Sequence, residues 1–387
     1  MQAKILVVDD EPDLEQMILQ KFRKQIRSRE YEFLFAENGV EALEKLGQNG
    51  DFDLVLTDIN MPEMDGLTLL SKLQELNVIL KPVIVSAYGD MANIRIAMNR
   101  GAFDFVTKPI DLHDLEVTVN KSLTEMHMLR EAIKAHDKLV AIEMELSVAT
   151  EIQTSILPQT FPPFPDRKEF DIHARMLTAN EVGGDFYDFF PIDKYRIGFT
   201  VGDVTGKGVP AAMLMAVSRT LLKYTALRGI SPDACMAEIN NVLVEESKPE
   251  MFVTIFYGVL DTRNGMMEYC NGGHNPPYLV SADGNVKQLE MVGGIFVGAV
   301  REAEYRSNVL TLQPGDAVFL YSDGVTEAMD LDQEEFLEAG LEKSLQNKPD
   351  ASVTEMTEQV MQDVQTWAKG APQSDDITVL ALKYNGQ

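Results

Sequence analysis

Five short β-rich runs set the architecture of the first 111 residues. They are KILVVDD (4–10), YEFLFAE (31–37), DLVLTD (53–58), PVIVSA (82–87) and FDFVTK (103–108). Between them lie stretches such as LEQMILQKF and GLTLLSKLQEL, whose apolar residues recur three and four apart, the spacing of one helix face. Strands that alternate with helices predict a parallel sheet covered on both faces. Functional groups in such a sheet gather at the carboxyl ends of its strands.

Those ends carry chemistry. Asp9 and Asp10 close the first run, Asp58 closes the third, Ser86 sits at the end of the fourth, and Lys108 closes the fifth. Three carboxylates brought together cannot all stay ionised without a cation, and an oxygen-only ligand set favours Mg²⁺. A metal, a carboxylate nucleophile, a hydroxyl and an ammonium together match a transferring phosphoryl group. Any one of these residues alone would read as a cap or a solvated terminus.

The motifs VDDE, DINMPEMDG, VSAYGD and GAFDFVTKP resemble those of the response-regulator receiver domain, across about residues 1–122. The resemblance implies a flavodoxin-like fold with strand order 2-1-3-4-5. It implies that Asp58 accepts phosphate from a partner histidine kinase. Asp9, Asp10, Asp58 and the Asn60 backbone carbonyl would hold Mg²⁺. Ser86 and Lys108 would hold the phosphoryl oxygens, and Phe105 would be the aromatic that reorients. The basic run KFRKQIRSR (21–29) reads as a solvated helix face.

From Leu112 to Leu157 nothing reads as strand, and no proline occurs until Pro158. Leu115, Val119, Ser122, Met126, Leu129, Ile133, His136 and Val140 form one stripe of alternating four- and three-residue spacings. Leu139, Ile142, Leu146, Ala149, Gln153 and Ile156 form a second, offset near residue 139. Residues 123–157 are therefore expected to be a long helical, coiled-coil-like linker. Two readings stand: a helix packed on its own domain, or a self-associating helix that makes a homodimer. A register choice between the stripes would carry a signal along the linker.

LPQTFPPFP (157–165) ends the helical pattern with four prolines. Residues 158–387 mix strand-like runs (FDIHARMLTA, YRIGFTVGDV, FVTIFYGVLD, AVFLYSDGV, DITVLALKY) with helical runs near 209–227, 232–246, 333–346 and 351–369. That order predicts an α+β domain. Of the chain's net charge of −27, this segment carries −16. Four acidic motifs stand out in it: EVGGDFYD (Asp185, Asp188), VGDVTGKG (Asp203), YSDGVTE (Asp323) and SDDIT (Asp375, Asp376). An isolated Asp-Gly is usually a turn. Four such sites, without a Ser-His-Asp or Cys motif, point to a carboxylate-rich centre for Mg²⁺ or Mn²⁺. Two such ions could activate a water against a phosphoryl group.

ATEIQTSILP, GGDFYD, GDVTGKGVPAAM, MFVT, NGGHNPP, YSDGVTEA and SDDITV resemble the metal-dependent (PPM) protein serine/threonine phosphatases of the sporulation stage II E type, over about residues 145–385. The resemblance implies a β-sandwich flanked by helices. Asp203 would bridge two Mn²⁺ or Mg²⁺ ions, with the Val204 carbonyl as a further ligand. Asp185 would serve one metal side, and Asp323 and Asp375 the other, with Asp376 the weaker member of the final pair. Val204 stands where eukaryotic relatives have glycine, which a backbone ligand tolerates. His274 reads equally as a general acid or as a turn-stabilising hydrogen bonder. Lys207 reads as a contact for substrate phosphate or as a solvated helix start. Trp367, Met213 and Met215 read as core.

The acidic balance makes nucleic acid and anionic membrane surfaces poor partners. Cys235 and Cys270 form no disulfide framework, which fits a reducing cytoplasm. No apolar run approaches 18 residues, and the N-terminus lacks a signal-peptide core. The expected function is a two-component response regulator that dephosphorylates phosphoserine or phosphothreonine directly. By resemblance its substrate is a small phosphoprotein such as an anti-sigma-factor antagonist. The competing expectation is a catalytically inactive adaptor of the same fold.

Overall fold

A computed structural model describes residues 2–76, 78–87, 90–246, 250–346 and 350–386. Tyr88 and Gly89 of the VSAYGD motif lie outside them. The chain forms two compact units, Met1–Ala141 and Ile142–Gln387.

The first unit runs β1 (Ala3–Val8), α1 (Pro12–Lys21), α2 (Arg23–Arg27), β2 (Tyr31–Ala36), α3 (Gly39–Asn49), β3 (Leu54–Asp58), α4 (Gly66–Glu75), β4 (Lys81–Ala87), α5 (Met91–Asn99), β5 (Asp104–Lys108) and then α6 (Leu112–Ile156). All five strands are parallel, in the order β2-β1-β3-β4-β5. Alternation along each strand feeds both faces. Ile5, Val7, Leu54 and Leu56 pack with Leu14 and Ile18 of α1 and with Leu115 and Val119 of α6. Leu6, Val8 and Val55 pack with Ala42 of α3 and Leu69 and Leu73 of α4. The flavodoxin-like sheet follows from that two-sided burial.

Helix α6 is continuous from Leu112 to Ile156, 45 residues. The first positions of its first stripe are not free to self-associate. Leu115, Val119, Ser122 and Met126 are buried in the first unit, and Arg130 pairs with Asp53 at 2.6 Å and donates to the Phe52 carbonyl. That part of the periodicity is packing within one domain. Beyond it, Leu129, Leu139, Val140, Ile142, Met144, Val148 and Ile152 are exposed.

The second unit holds β6 (Phe170–Leu177), β7 (Phe186–Pro191), β8 (Arg196–Val204), α7 (Val209–Ala226), α8 (Pro232–Glu246), β9 (Val253–Asp261), β10 (Met266–Gly272), β11 (Tyr278–Val280), β12 (Val286–Gln288), β13 (Gly293–Gly294), β14 (Asn308–Thr311), β15 (Ala317–Tyr321), α9 (Asp323–Thr326), α10 (Leu337–Leu345), α11 (Val353–Ala368) and β16 (Ile377–Tyr384). One sheet runs β13-β10-β9-β8-β7, with β14 also on β10. The other runs β12-β11-β15-β16-β6. Val318, Leu320, Leu380 and Leu382 face a core shared with Phe199, Val201 and Tyr257 of the first sheet. Their neighbours Phe319, Tyr321, Val379 and Ala381 face the other way, onto Val360 and Val364 of α11. Helices α7 and α8 pack on the first sheet. The result is a sandwich of two sheets between two helical layers. Met215 is core as expected, but Met213 is 67% exposed, because it lies on the solvent side of α7. Trp367 is partly buried against Phe336.

Candidate phosphoryl-transfer and metal sites

In the first unit the strand ends converge as the sequence implied. Asp9 and Asp10 follow β1, and Asp58 ends β3. A carboxylate oxygen from each lies within 4.8 Å of the others. Among the described residues no other trio of Asp, Glu, His or Cys comes so close. Asp58 is buried. Its Oδ1 accepts from the backbone of Ile59 at 2.6 Å and Asn60 at 3.4 Å, and its Oδ2 takes Lys108 Nζ at 2.7 Å. Lys108 also reaches Asp9 and Glu11, each at 3.0 Å. Burial works against the ammonium, but the hydrogen bonds to Asp58, Asp9 and Glu11 outweigh it and raise its pKa. Burial pushes the Asp9 carboxyl up, against the pull of the Glu11 backbone and Lys108. Ser86 is buried in β4, and its hydroxyl has no hydrogen-bond partner among the described residues. Phe105, on β5, is exposed. An unpartnered hydroxyl, three crowded acids and one lysine fit a divalent cation and a phosphoryl group. Glu11, a third anchor for Lys108, escaped the sequence reading because an acid after a strand-end pair looks like helix-start composition.

In the second unit Asp185 precedes β7, Asp203 lies near the end of β8, Asp323 opens α9 after β15, and Asp375 precedes β16. Two of these positions belong to each sheet, so the acids come from both layers. Asp185 is 1% exposed, and its Oδ2 lacks a hydrogen-bond partner among the described residues. Burial, then repulsion from Asp203, raises its pKa far above the carboxylate range. Burial, then the Asp323 charge, raises Asp203. Burial, then Asp375, raises Asp323. Buried acids that raise one another's pKa suit a hard divalent cation, although among the described residues no three of them close to within 4.8 Å. The Val204 carbonyl lies close to the Asp185 loop: a Cβ on Gly184 would stand 2.8 Å from it.

The final pair of acids divides its work. Asp376 is buried and accepts from the backbone of Ala179 at 2.8 Å, Gly184 at 2.7 Å and Asp185 at 3.3 Å. It builds the loop that carries Asp185. Asp375 is half-buried and meets Lys207 Nζ at 3.2 Å. Lys207 also donates to the Ser374 carbonyl, so it is neither a freely solvated helix start nor aimed away from the acids. Asp188 points elsewhere, to Arg219 at 2.8 Å and Lys223 at 3.3 Å. His274 is buried, and burial pushes its pKa down to about 4. Its backbone N–H donates to Asn271 Oδ1, and Asn271 Nδ2 donates back to its carbonyl. These backbone bonds hold its turn, while the ring Nδ1 lies 2.9 Å from Thr254 Oγ1 and Nε2 has no hydrogen-bond partner among the described residues.

One residue of the second stripe has a role that the sequence did not disclose. Gln153, in the last turns of α6, donates to the Gly183 carbonyl at 2.7 Å and accepts the Gly183 N–H at 3.0 Å. Thr150 donates to the Glu181 carbonyl. The helix end therefore grips the Asp185 loop. The available signal was a polar Gln153 within an otherwise apolar stripe.

The two units define a receiver-type domain joined to a phosphatase-type sandwich. Residues 5–120 match the response regulator receiver domain family, and residues 193–385 match the Stage II sporulation protein E (SpoIIE) family. The chain thus joins a segment that matches receiver domains to one that matches the SpoIIE family. It is 29% identical to Protein IcfG of Synechocystis sp., over 62% of this chain and 42% of that one. It is 28% identical to Phosphoserine phosphatase RsbU of Bacillus subtilis, over 62% of this chain and 70% of the relative. The chain therefore spans less than half the length of IcfG. The SiaA-PP2C domain of Pseudomonas aeruginosa shares the fold at a TM-score of 0.56 and 21% identity, covering 64% of this chain and 98% of that domain.

Proposed function

We propose that this chain is a two-component response regulator whose output is metal-dependent hydrolysis of phosphoserine or phosphothreonine on a regulatory protein. The carrying observation is the set Asp185, Asp203 and Asp323, drawn from both sheets and each pushed up by burial and a neighbouring acid. Asp185, Asp203, Asp323, Asp375 and the Val204 carbonyl would hold two Mn²⁺ or Mg²⁺ ions. Bound there, the metals would supply charge neutralisation, polarisation of the phosphoryl group and a water of lowered pKa. The protein's part is placement: Asp376 and Gln153 fix the Asp185 loop, and Lys207 steadies Asp375.

Asp58 is read as the phosphoacceptor for a histidine kinase, with Mg²⁺ on Asp9, Asp10, Asp58 and the Asn60 carbonyl. Lys108 and Ser86 would receive the phosphoryl oxygens, and Phe105 would reorient with them. The phosphoserine preference is supported by the likeness to RsbU, and an anti-sigma-factor antagonist is the proposed substrate class. The working domain limits are 1–122, 123–157 and 158–387, with homodimerisation through the exposed part of α6. Among the described residues no helix is long and apolar enough to cross a membrane, and cytoplasmic action is part of the proposal.

The test is Mn²⁺-dependent hydrolysis of p-nitrophenyl phosphate and of a phosphoserine peptide by the full chain. Asp203→Asn should lower kcat/KM about a hundredfold or more, since bound metal contributes several kcal/mol to the transition state. A wild-type protein that binds Mn²⁺ and hydrolyses neither substrate would leave the adaptor reading in its place.

A further inference from the structure

A groove of about 250 Å³ opens in the second unit beside the candidate metal acids. Ala328 and Met329 beyond α9, Val364 and Ala368 of α11, and Leu177 and Ile377 form its walls, and segment 370–374 closes one side. None of its lining side chains is charged, although residues 158–387 carry a net −16. Gly324 and Ser374 also line it, and these are the chain neighbours of Asp323 and Asp375.

The wall is tied down. A Cβ on Gly324 would stand 2.1 Å from the Asp376 carbonyl oxygen, so α9 and the Asp375–Asp376 backbone lie in direct contact. Gln373 Nε2 donates to the Leu177 carbonyl at 2.9 Å and the Asp375 carbonyl at 2.7 Å. Lys207 holds the Ser374 carbonyl. The groove is therefore fixed with respect to Asp323 and Asp375. Its volume falls below that of sites for whole small molecules, which start near about 300 Å³. It is continuous in chain with the catalytic acids, uncharged on an acidic domain, and sized for one side chain.

Resting on the phosphatase reading above, we propose that this groove is a substrate subsite. It would accept one apolar side chain of the phosphoprotein, such as leucine, within a few residues of the phosphoserine. An extended chain advances about 3.3 Å per residue, so a side chain a few residues from the phosphoserine suits a groove lined by the chain neighbours of Asp323 and Asp375. Burying such a side chain should raise kcat/KM about tenfold to a hundredfold.

The test uses the full chain with Mn²⁺ and phosphoserine decapeptides that differ only by leucine or serine at one flanking position, scanned on both sides. At one or two positions leucine should raise kcat/KM at least tenfold, mainly through KM. The preference should vanish in Ala368→Trp, which fills the groove, and in Met329→Glu, which charges its rim. Turnover of p-nitrophenyl phosphate should stay unchanged in both. If Ala368→Trp also loses that turnover, the exposed Met329→Glu decides. No leucine preference at any position, or a preference that survives the decisive variant, overturns the subsite. A wild type inactive on p-nitrophenyl phosphate removes the phosphatase reading itself, and the subsite with it.

Discussion

Gln153 joins two backbone groups of Gly183 that are otherwise buried, so its loss leaves both unpaired. Each orphaned group costs about 1–3 kcal/mol. Gln153→Ala is therefore expected to destabilise the phosphatase unit by about 2–5 kcal/mol and to weaken Mn²⁺ binding, because the loop carries Asp185. Urea unfolding and calorimetric Mn²⁺ titration check the two parts separately. Unaltered Mn²⁺ affinity would mean that the loop keeps its shape without the amide. Asp376→Asn should act in the same direction, since Asp376 accepts three backbone N–H groups, and an amide oxygen accepts more weakly than a carboxylate. In the receiver, Lys108 reaches three carboxylates, and its shortest contact is with Asp58, at 2.7 Å, whose other oxygen accepts from the backbones of Ile59 and Asn60. Acetyl phosphate with Mg²⁺ should label the wild type, and Asp58→Asn should remain unlabelled. Label retained in that variant, followed by acid-lability and mass spectrometry, would assign the acceptor elsewhere.

At the scale of elements, legibility followed burial. The receiver strands were readable because each is a short apolar run between helical periods. The motif acids were readable because they fall where those runs stop. The phosphatase strands β6, β8, β9, β15 and β16 were visible for the same reason. Strands β7 and β10 were not, since Asp188 and Glu268 interrupt their apolar runs, nor were the short strands β11 to β14, since two to four residues leave too little alternation to detect. Sheet partners such as β6 with β16 join residues about 200 apart, and no local pattern encodes that pairing. In α6 the stripe was real but its meaning was mixed: Leu115 to Met126 serve the receiver core, and only later positions are open to a partner. Those later positions carry the dimer proposal. Deleting Leu139 turns every following residue by about 100° about the helix axis relative to those before it. The deletion should alter phosphatase activity or its response to Asp58 phosphorylation. Equal activity and equal response in the deletion variant, or sedimentation as a monomer at micromolar concentration in both phosphorylation states, would retire the linker switch.

Across the whole molecule, the acidic sites tie stability to pH and metal. Folding raises the pKa of Asp185, Asp203 and Asp323. Above about pH 4 the folded state therefore binds more protons than the unfolded chain, whose carboxylates titrate near that value. Stability of the metal-free protein is lost as pH rises through the folded values. Divalent cations compete with those protons, so their stabilisation grows as pH rises. In EDTA the phosphatase transition should fall in Tm between pH 5 and pH 8, and Asp185→Asn should flatten part of that fall. Added Mn²⁺ should raise Tm more at pH 8 than at pH 5, and an equal rise at both would contradict the metal assignment. The single uninterrupted α6 has one more consequence, for how such chains can diverge. A loop absorbs an inserted residue as slack, but a helix converts it into rotation. Seven residues bring the helix back to within about 20° of its starting phase, and one residue does not. Chains of this architecture should therefore differ in length between Met126 and Gln153 by steps that nearly restore the phase, about seven, eleven or eighteen residues, so that gaps in that stretch of an alignment would avoid one, two or three residues while surface loops vary freely.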